Sequence, residues 1–525
     1  MKMKRILVLL LAVLMTLSVA ACKQDGKGTT AAPTTKAGDK PADDGKETEA
    51  PKTEKTEGEA KPDDGEVPTL IWLNGDPGTI PPDNDMVEEA MNAITVPKVG
   101  VKVHTLYMSG DAVRLHISSG DEWDMAYSCA WWNLYNEQAL KGYFADITDK
   151  VKTVTPDLYA YVPEILWSGN TVAGVLYGVP ILKDYGMEIF WRFDADLFDD
   201  LGIEIPDRMT FDDLGTYLAA AKEAIDSGNP LTTRYDFAMM DIPGGLDSCY
   251  DYLYNPVLGL PFSAIGTPDA NKIVFYRAHE DIVNRFRTLH KWYQAGYISP
   301  EAPTREQVSV YSAVKSGQGF YGADAIWSSG DKFRQYISRF DGPHISTNSI
   351  MNNTAFSVNS KYVDEALKYT ELINTDKNLR DMLRYGIEGH HFNYTEDGLV
   401  MRTDKADGYK PWPFSQASYG LSSVEAAEGV DVDPKMWEVI FKTYEEEAKT
   451  TSALGFHFNP GPVESELTAI VSIWDKYNKP LSSGISDPDV EVPKLVSEAE
   501  AAGLDKVLAE AQAQFDKWLE ENGKN

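Results

Sequence analysis

The sequence predicts an α/β fold with mostly parallel sheets, because short apolar strands alternate with helices from residue 69 onward. Residues 69–73 have the pattern of a buried strand, and a Gly- and Pro-containing loop follows them. A helix over 85–94, a strand over 101–106, a helix over 112–118 and a strand reached within 120–128 continue the alternation. Strands joined by helices pair in parallel, and ligands of such sheets sit beyond the carboxyl ends of the strands. The loops that follow the first and third strands are therefore the expected place for a binding site.

The N-terminus carries a secretion signal. Lys2, Lys4 and Arg5 precede an apolar run over residues 6–17, which is too short to span a bilayer as a mature helix. The run ends at Ala21-Cys22 in a pattern that resembles the lipobox of bacterial lipoproteins. That resemblance implies a signal peptide of residues 1–21 and a diacylglyceryl group on Cys22, whose two acyl chains anchor a protein stably. An ordinary secretory signal with a chance cysteine is the alternative.

A tether is predicted over residues 22–67. After Cys22 the segment consists mainly of Lys, Thr, Glu, Asp, Gly, Pro and Ala, and it contains no aromatic residue. Such a composition cannot bury enough apolar surface to offset the entropy of ordering. We therefore expect a disordered tether between the membrane and the folded region, although a tail that folds on a partner is the alternative.

The composition excludes a nucleic-acid partner. The chain has a formal net charge of −32 and a pI near 4.6, and no basic stripe stands out along it. Its hydrophobic fraction of 43% allows a substantial core, and about 460 residues are enough for two or more domains. The acidity is typical of a soluble surface exposed at the outside of a cell.

The cysteines outside the lipobox do not define a disulfide framework. Apart from Cys22, the chain contains only Cys129 and Cys249, and neither has zinc-like spacing with another Cys or His. The sequence leaves open whether they form a disulfide. We expect no metal, no cofactor and a monomeric protein.

Several short motifs, in a fixed order, resemble the family 1 extracellular solute-binding proteins of bacterial ABC importers. Each motif is weak alone, but they follow the lipobox in the order of the family, at residues 118–124, 141–148, 174–180, 201–206 and 210–214. Further segments resemble a subset of larger lipoproteins that have their own C-terminal region, at residues 385–392, 452–456, 463–466 and 502–507.

The resemblance implies a two-lobe periplasmic-binding-protein-like fold of type II, with a hinge between the lobes. Lobe 1 is expected over 68–183 plus 345–395, and lobe 2 over 187–340 plus 405–525. The hinge crossings would then lie around 183–188 and near residues 340 and 400. The resemblance also implies a carbohydrate ligand that is delivered to an ABC importer, with the transmembrane permease subunits of the importer as partners at the extracellular face of the membrane.

Sugar receptors stack aromatic rings on the C–H faces of the ligand and place polar groups at its hydroxyl rim. Trp131 and Trp132 follow the third strand, and we expect one ring to face the ligand and the other to pack inward, with packing of both rings as the alternative. Asn74 and Asp76 follow the first strand and are polar candidates, unless they only form a turn.

The first hinge crossing supplies a second group of candidates. Lys183, Asp184 and Tyr185 follow the Pro180 motif and are expected at the floor of the cleft. Trp191 lies just beyond them, although strand periodicity could equally bury it.

The remaining candidates come later in the chain. Asp324 and Trp327 lie where the family often carries a Gly-rich turn and an aromatic platform, so the resemblance implies that they contact the ligand. His390 is a candidate hydrogen-bonding group at the cleft edge; a metal site with His391 is disfavoured because adjacent histidines point in different directions and lack a third ligand nearby in the sequence. Trp412 is either a cleft rim or part of a packed loop.

An enzyme is the weaker interpretation. A glycoside hydrolase needs two carboxylates at a set separation, but with 81 acidic residues such pairs are inevitable and decide nothing. The sequence contains no nucleophile elbow, no His-Glu-x-x-His and no phosphate-binding Gly-rich loop. The sequence therefore predicts a lipid-anchored, non-enzymatic receptor that closes its cleft on an oligosaccharide. A surface glycan adhesin or sensor, and a receptor for peptides or another polar solute, are the alternatives.

Overall fold

The computed structural model describes residues 67–75, 80–305, 312–323, 334–412, 417–418, 420–426 and 431–524. All of them belong to one compact unit, Gly65–Asn525. The signal peptide, Cys22 and the tether lie outside the described residues, as do Asp76, Asp324 and Trp327. Across the described ranges, no helix is both long enough and apolar enough to cross a membrane.

The strands are short and lie mostly in two mixed sheets. In chain order they are β1 Thr69–Gly75, β2 Lys102–Met108, β3 Met125–Cys129, β4 Thr171–Val172, β5 Val175–Leu176, β6 Gly178–Pro180, β7 Met187–Asp194, β8 Phe237–Met239, β9 Tyr250–Tyr254, β10 Leu258–Pro261, β11 Val274–Phe275, β12 Ser312–Gln318, β13 Gln335–Ile345, β14 Asn352–Phe356, β15 Phe392–Tyr394, β16 Val400–Arg402 and β17 Lys449–Thr450.

The helices surround these sheets. In chain order they are α1 Asn84–Val99, α2 Gly110–Ser119, α3 Tyr135–Leu140, α4 Lys150–Val154, α5 Pro156–Tyr161, α6 Glu164–Gly169, α7 Ala195–Asp200, α8 Leu214–Asp226, α9 Glu280–Gln294, α10 Thr347–Ile350, α11 Val363–Thr375, α12 Lys377–Tyr385, α13 Met436–Glu447, α14 Glu464–Ser482, α15 Pro488–Ala501 and α16 Leu504–Glu521. The predicted alternation of β1, α1, β2, α2 and β3 is confirmed.

The first sheet has the order β2-β1-β3-β14-β6. Strand β1 pairs in parallel with β2 and β3, as the alternation predicts. Strand β14 runs antiparallel to β3 and β6, so the prediction of a mostly parallel sheet is wrong for this half. The reason is that β14 enters from the other sheet through the short connection 346–351 and not through a crossover helix.

The second sheet has the order β17-β13-β7-β12-β8. Its central strand β7 is antiparallel to both β12 and β13, while β8 and β17 pair in parallel at the edges. The prediction of a mostly parallel sheet is therefore wrong here too. The reason is that β7 lies between β12 and β13, which run in the same direction as each other and opposite to β7.

The apolar cores separate along the same lines. Two sets of buried side chains pack on the first sheet, and a larger set packs around the second sheet and includes the C-terminal helices α14, α15 and α16. The buried apolar residues that the structure describes between 409 and 444 pack in one of the two sets on the first sheet, because α13 buries Met436, Trp437, Ile440 and Tyr444 there. This differs from the sequence prediction, which assigned all of 405–525 to the second lobe.

The chain passes from β6 in the first sheet to β7 in the second through residues 181–186. Helix α13 covers this crossing: the ring of Tyr444 lies 4.9 Å from that of Tyr185, and a Cβ on Gly186 would come within 2.8 Å of it. At the carboxyl end of α13, Glu447 pairs with Arg339 of β13 at 2.9 Å. Arg339 also pairs with the buried Glu188 of β7, so α13 joins the first core to the second sheet.

Candidate functional site

Four aromatic rings lie together at the carboxyl ends of β1 and β3. Tyr127, Trp131, Trp132 and Trp412 form this cluster, which we call the aromatic wall. The centroid of the Trp412 ring lies 6.0 Å from Tyr127, 5.7 Å from Trp131 and 6.5 Å from Trp132. Trp131 is 64% exposed whereas Trp132 is 7% exposed, so one indole faces outward and the other packs inward, as the sequence led us to expect.

Contacts from Cys129 and from helix α2 hold the backbone of the turn after β3 in place. The Sγ of Cys129 accepts a hydrogen bond from the Trp132 N–H at 3.2 Å. The guanidinium of Arg114 donates to the Trp132 carbonyl and pairs with Asp111 on the same helix. Helix α2 also approaches closely, since a Cβ on Gly110 would lie 2.1 Å from that carbonyl oxygen. These contacts fix the backbone of the turn and leave Trp131 at the surface.

Trp412 reaches the wall from a distant part of the chain, and its ring lies against Gly75, the last residue of β1. A Cβ added to Gly75 would come within 1.9 Å of the indole ring. Only a glycine therefore allows Trp412 to lie this close to the end of β1.

Polar atoms without partners lie beside the wall. The side-chain atoms Asn74 Nδ2, Ser128 Oγ and Asn133 Oδ1 are buried and have no hydrogen-bond partner among the described residues. Other atoms of these side chains are engaged: Asn133 Nδ2 donates to the Tyr127 carbonyl at 3.3 Å, and Asn74 Oδ1 accepts from the Gly75 N–H at 2.8 Å. Because buried polar groups are nearly always satisfied, these atoms are suited to hydrogen bonds with water or with the hydroxyl groups of a ligand.

The predicted group at the first crossing is buried. Lys183 Nζ pairs with Asp184 Oδ1 at 2.9 Å, and both side chains are about one-tenth exposed. Tyr185 packs between Phe441 and Tyr444, and burial raises the pKa of its hydroxyl to about 12. The three residues lie at the crossing as expected, and a role in ligand binding stays a prediction.

Trp191 belongs to the core of the second half and is a correction to the candidate ligand set. Its side chain is completely buried, and its ring stacks on Phe340 at 4.0 Å between centroids, with Phe211 and Trp292 at its edges. The structure confirms the alternative given above, that the periodicity of the strand buries the Trp191 ring. An enclosed ring offers no face to a ligand.

His390 lies beside His391 and Asp83, whose ligand-type atoms all fall within 4.8 Å of one another. The His391 Nε2 lies 3.2 Å from Asp83 Oδ2, and its Nδ1 accepts the Ile387 N–H at 2.9 Å. An Nδ1 that accepts a hydrogen bond places the proton of a neutral imidazole on Nε2. Metal-bound histidines have the opposite arrangement and donate through the nitrogen that does not bind the metal, so the geometry favours a His391–Asp83 hydrogen bond over a metal site.

Two surface cavities lie along β13, away from the aromatic wall, and share Arg208 and Phe340 in their linings. Both arginines of these linings are paired within the chain: Arg208 with Glu447 at 3.7 Å, and Arg285 with Asp341 at 2.7 Å. These cavities therefore offer a ligand less unsatisfied polar surface than the wall does.

Sequence reasoning identified Trp131, Trp132 and Asn74 but did not place Tyr127 or Ser128 at the site, and it left the role of Trp412 open. A local signal existed for the first two, since both lie on β3 directly before the tryptophan pair. No local signal places Trp412 against Gly75. Both cysteines outside the lipobox are free, with Cys129 buried and Cys249 partly buried.

The chain is similar to known proteins over most of its length. Residues 452–520 match the family described as a domain of unknown function, DUF3502. A carbohydrate ABC transporter substrate-binding protein of Streptococcus pneumoniae is 27% identical over 481 residues, which cover 87% of this chain and 92% of that protein.

Solved structures agree on the fold. A crystal structure of the N-glycan transport solute binding protein (NgtS) from Streptococcus pneumoniae is 23% identical, covers 87% of this chain and 100% of its own, and has a TM-score of 0.74. NgtS in complex with Man1GlcNAc is 24% identical, covers 86% and 100%, and has a TM-score of 0.69. NgtS in complex with Man5GlcNAc is 24% identical, covers 86% and 99%, and has a TM-score of 0.64.

The chain has the α/β, two-domain fold of the solute-binding proteins, so the fold class expected from the sequence is confirmed, although its sheets are mixed and not mostly parallel. Over most of its length it is similar to the carbohydrate ABC transporter substrate-binding protein of Streptococcus pneumoniae, and its C-terminal region matches DUF3502.

Proposed function

We propose that this protein binds an oligosaccharide at the aromatic wall and delivers it to an ABC importer. The observation that carries the proposal is the position of the wall: an exposed indole, Trp131, stands at the carboxyl ends of the parallel strands, beside buried amide and hydroxyl atoms that have no partner in the part of the chain that the structure describes. Sugar rings stack their C–H faces on aromatic rings and direct their hydroxyl groups to such polar atoms.

The charges around the wall favour a neutral sugar. Cations near the wall in sequence are already paired, Arg114 with Asp111, Lys141 with Glu137 and Lys410 with Asp407. The adjoining segments 76–79 and 413–416 contain Asp76 but neither Lys nor Arg. With a formal net charge of −32, the protein would repel a uronate or a sialylated glycan.

The relatives support the same solute class. The Streptococcus pneumoniae protein is named as a carbohydrate substrate-binding protein, and NgtS has been solved with Man1GlcNAc and Man5GlcNAc. These relatives are substrate-binding proteins and not enzymes, which supports a receptor without catalytic activity.

Closure of the two lobes is the proposed mechanism. A ligand that contacts both lobes would shift the population toward the closed form. The candidates Asp324 and Trp327, which lie outside the described residues, remain proposed contacts from the second lobe.

The anchoring and partner assignments complete the proposal. Lipidation of Cys22 would hold the receptor at the extracellular face of the membrane, and the tether would keep it near the permease subunits. A monomer suffices for this role, because the cleft is formed by one chain.

A surface glycan adhesin or sensor would use the same wall but would need no permease. Deletion of the permease subunits of the importer separates the two functions, since an adhesin would retain its cellular role whereas a receptor would lose it. A peptide receptor is separated by the choice of ligand in the experiment that follows.

The test is a thermal-shift screen of the unit Gly65–Asn525 against neutral and acidic oligosaccharides and peptides. A ligand that binds only the folded state raises the Tm by mass action. We expect a rise with a neutral oligosaccharide that is lost in Trp131→Ala. A rise with peptides alone would move the function to another solute, and shortened glycans after incubation would indicate an enzyme.

A further inference from the structure

One returning segment of the chain, residues 386–412, contacts both ends of the loop that follows β1. At the start of the loop, the Trp412 ring of this segment lies on Gly75. At its end, the Asp83 N–H donates to the Gly408 carbonyl at 2.9 Å. The same segment therefore supplies a ring of the aromatic wall and the contact that fixes the far end of the loop.

The Asp83 carboxylate is enclosed by this segment. A Cβ on Gly408 would lie 2.0 Å from Asp83 Oδ2, so only a glycine at position 408 leaves room for the carboxylate. The His391 Nε2 lies 3.2 Å from the same oxygen, and the His390 Nε2 lies 3.9 Å from it. Asp83 thus touches the segment through its backbone and through its side chain.

His391 is itself held in one orientation. Its side chain is completely buried, and its Nδ1 accepts the Ile387 N–H at 2.9 Å, which leaves Nε2 to donate to Asp83. Gly386 adopts a φ of +91°, and a Cβ there would come within 2.5 Å of Nδ1. Burial lowers the pKa of His391, which keeps the ring neutral and its Nε2 proton directed at Asp83.

The backbone between Gly408 and Trp412, which joins this contact to the aromatic wall, is short and constrained. Between Gly408 and Trp412, the buried Tyr409 donates its hydroxyl proton to the Leu383 carbonyl at 3.0 Å, and its ring lies 5.8 Å from that of His391. Pro411 restricts the backbone directly before Trp412. These contacts constrain the backbone between Gly408 and Trp412.

We propose that Asp83, His391 and Gly408 form a latch that holds Trp412 in the aromatic wall, which makes Asp83 a positioning residue for oligosaccharide binding. The effect on binding rests on the proposed function, whereas the effect on Trp412 does not. Asp83 acts through Trp412 and does not contact the ligand.

The first experiment needs no ligand. The unit Gly65–Asn525 is labelled with 5-fluorotryptophan, and the fluorine resonance of Trp412 is assigned as the one that disappears in Trp412→Phe. We expect Asp83→Ala and Gly408→Ala to move this resonance. Asp83→Asn should leave it close to its original position, because an amide oxygen still accepts the His391 Nε2 proton. Asp85→Ala, which removes an exposed acid in the first turn of α1, is the matched control.

The second experiment measures binding of Man5GlcNAc by titration calorimetry in a double-mutant cycle. Asp83→Ala should weaken binding about tenfold in the wild-type background and by less than about twofold in Trp412→Ala, because coupled residues are non-additive. Additive losses would show that Asp83 acts independently of Trp412 and would overturn the latch.

The remaining outcomes are also decisive. An unmoved Trp412 resonance in both Asp83→Ala and Gly408→Ala contradicts the latch even if binding falls. A rise in Tm on addition of Zn²⁺ that is lost in Asp83→Ala would replace the latch by a metal site. If no variant binds Man5GlcNAc, the ligand assignment is at fault, and the fluorine resonances alone decide the latch.

Discussion

Two aromatic clusters of similar composition lie in the two halves of this protein. The aromatic wall contains three indoles and a phenol, and the cluster around Trp191 contains two indoles and two phenyl rings. Trp131 of the wall is 64% exposed and stands where two parallel strands end, whereas Trp191 is fully buried in the middle of β7. The comparison shows that aromatic content alone does not separate a candidate sugar platform from a packed core, whereas exposure of a ring at the strand ends does.

Truncation of Trp191 gives the largest expected effect. Trp191→Ala should lower the free energy of unfolding by about 3–5 kcal/mol, because a large cavity opens in a packed core. Denaturant titration measures this loss, and Trp191→Phe is the milder control. Trp131→Ala should change the same quantity by only about 0.5 kcal/mol. Equal losses for the two alanine variants would remove the distinction between wall and core.

The pH dependence of stability tests the region where the first half meets the C-terminal region. His457 hydrogen-bonds with Asn136 of α3, and burial lowers the pKa of His457 from 6.5 to about 4. The unfolded chain therefore binds more protons between these values, and stability is complete above about pH 6.5 and falls as the pH is lowered toward 4.

The loss expected from this single group is up to about 3 kcal/mol at the acid end. Urea titrations from pH 7 to pH 4 measure it, and His457→Gln should flatten the dependence relative to the wild type. An unchanged slope in His457→Gln would assign the acid sensitivity to other groups.

Truncation of the wall should act on binding and not on stability. Trp131→Ala should weaken oligosaccharide binding by about 2 kcal/mol, roughly thirtyfold, because exposed aromatic anchors carry a large share of binding energy. Calorimetric titration measures the change. Leu140→Ala, which removes another exposed apolar side chain, is the control and should bind as the wild type does. A weakened Leu140→Ala would point to a general loss of structure.

The smallest effect is expected at the carboxyl end of α13. Glu447→Gln removes partly exposed ion pairs with Arg339 and Arg208. The free energy of unfolding should therefore fall by about 0.5 kcal/mol or less, and the Tm should change little. Arg339 keeps the buried Glu188 as a partner. A large loss of stability on thermal unfolding would contradict a peripheral role for this contact. Small-angle scattering with and without ligand measures whether the contact limits closure of the two lobes.

The sequence predicts local structure well in the first half and long-range contacts poorly. Strands β1 to β3 and helices α1 and α2 could be predicted from the periodicity of their apolar residues. The exposure of Trp131 and the burial of Trp132 match the expectation that one ring of the pair after β3 faces outward and the other packs inward. The periodicity of a strand does not report the direction of its neighbour, which is why the antiparallel entry of β14 and the central β7 were missed.

The same limit applies to the site. Trp412 and Gly75 meet because a glycine leaves room for an indole from a distant segment, and neither residue signals the other in the local pattern. The partition of residues 409–444 into the first core depends on the packing of α13 across the hinge crossing. Burial of Trp191 was available from strand periodicity, but the resemblance to sugar receptors favoured the exposed alternative.

The most direct test of the central claim is calorimetric titration of the unit Gly65–Asn525 with Man5GlcNAc and a panel of neutral and acidic oligosaccharides. The account predicts saturable binding of a neutral oligosaccharide by the wild type and by folded Trp191→Phe, and greatly weakened binding by Trp131→Ala and Trp412→Ala. Binding that survives in both wall variants, or that is confined to acidic glycans, would contradict it.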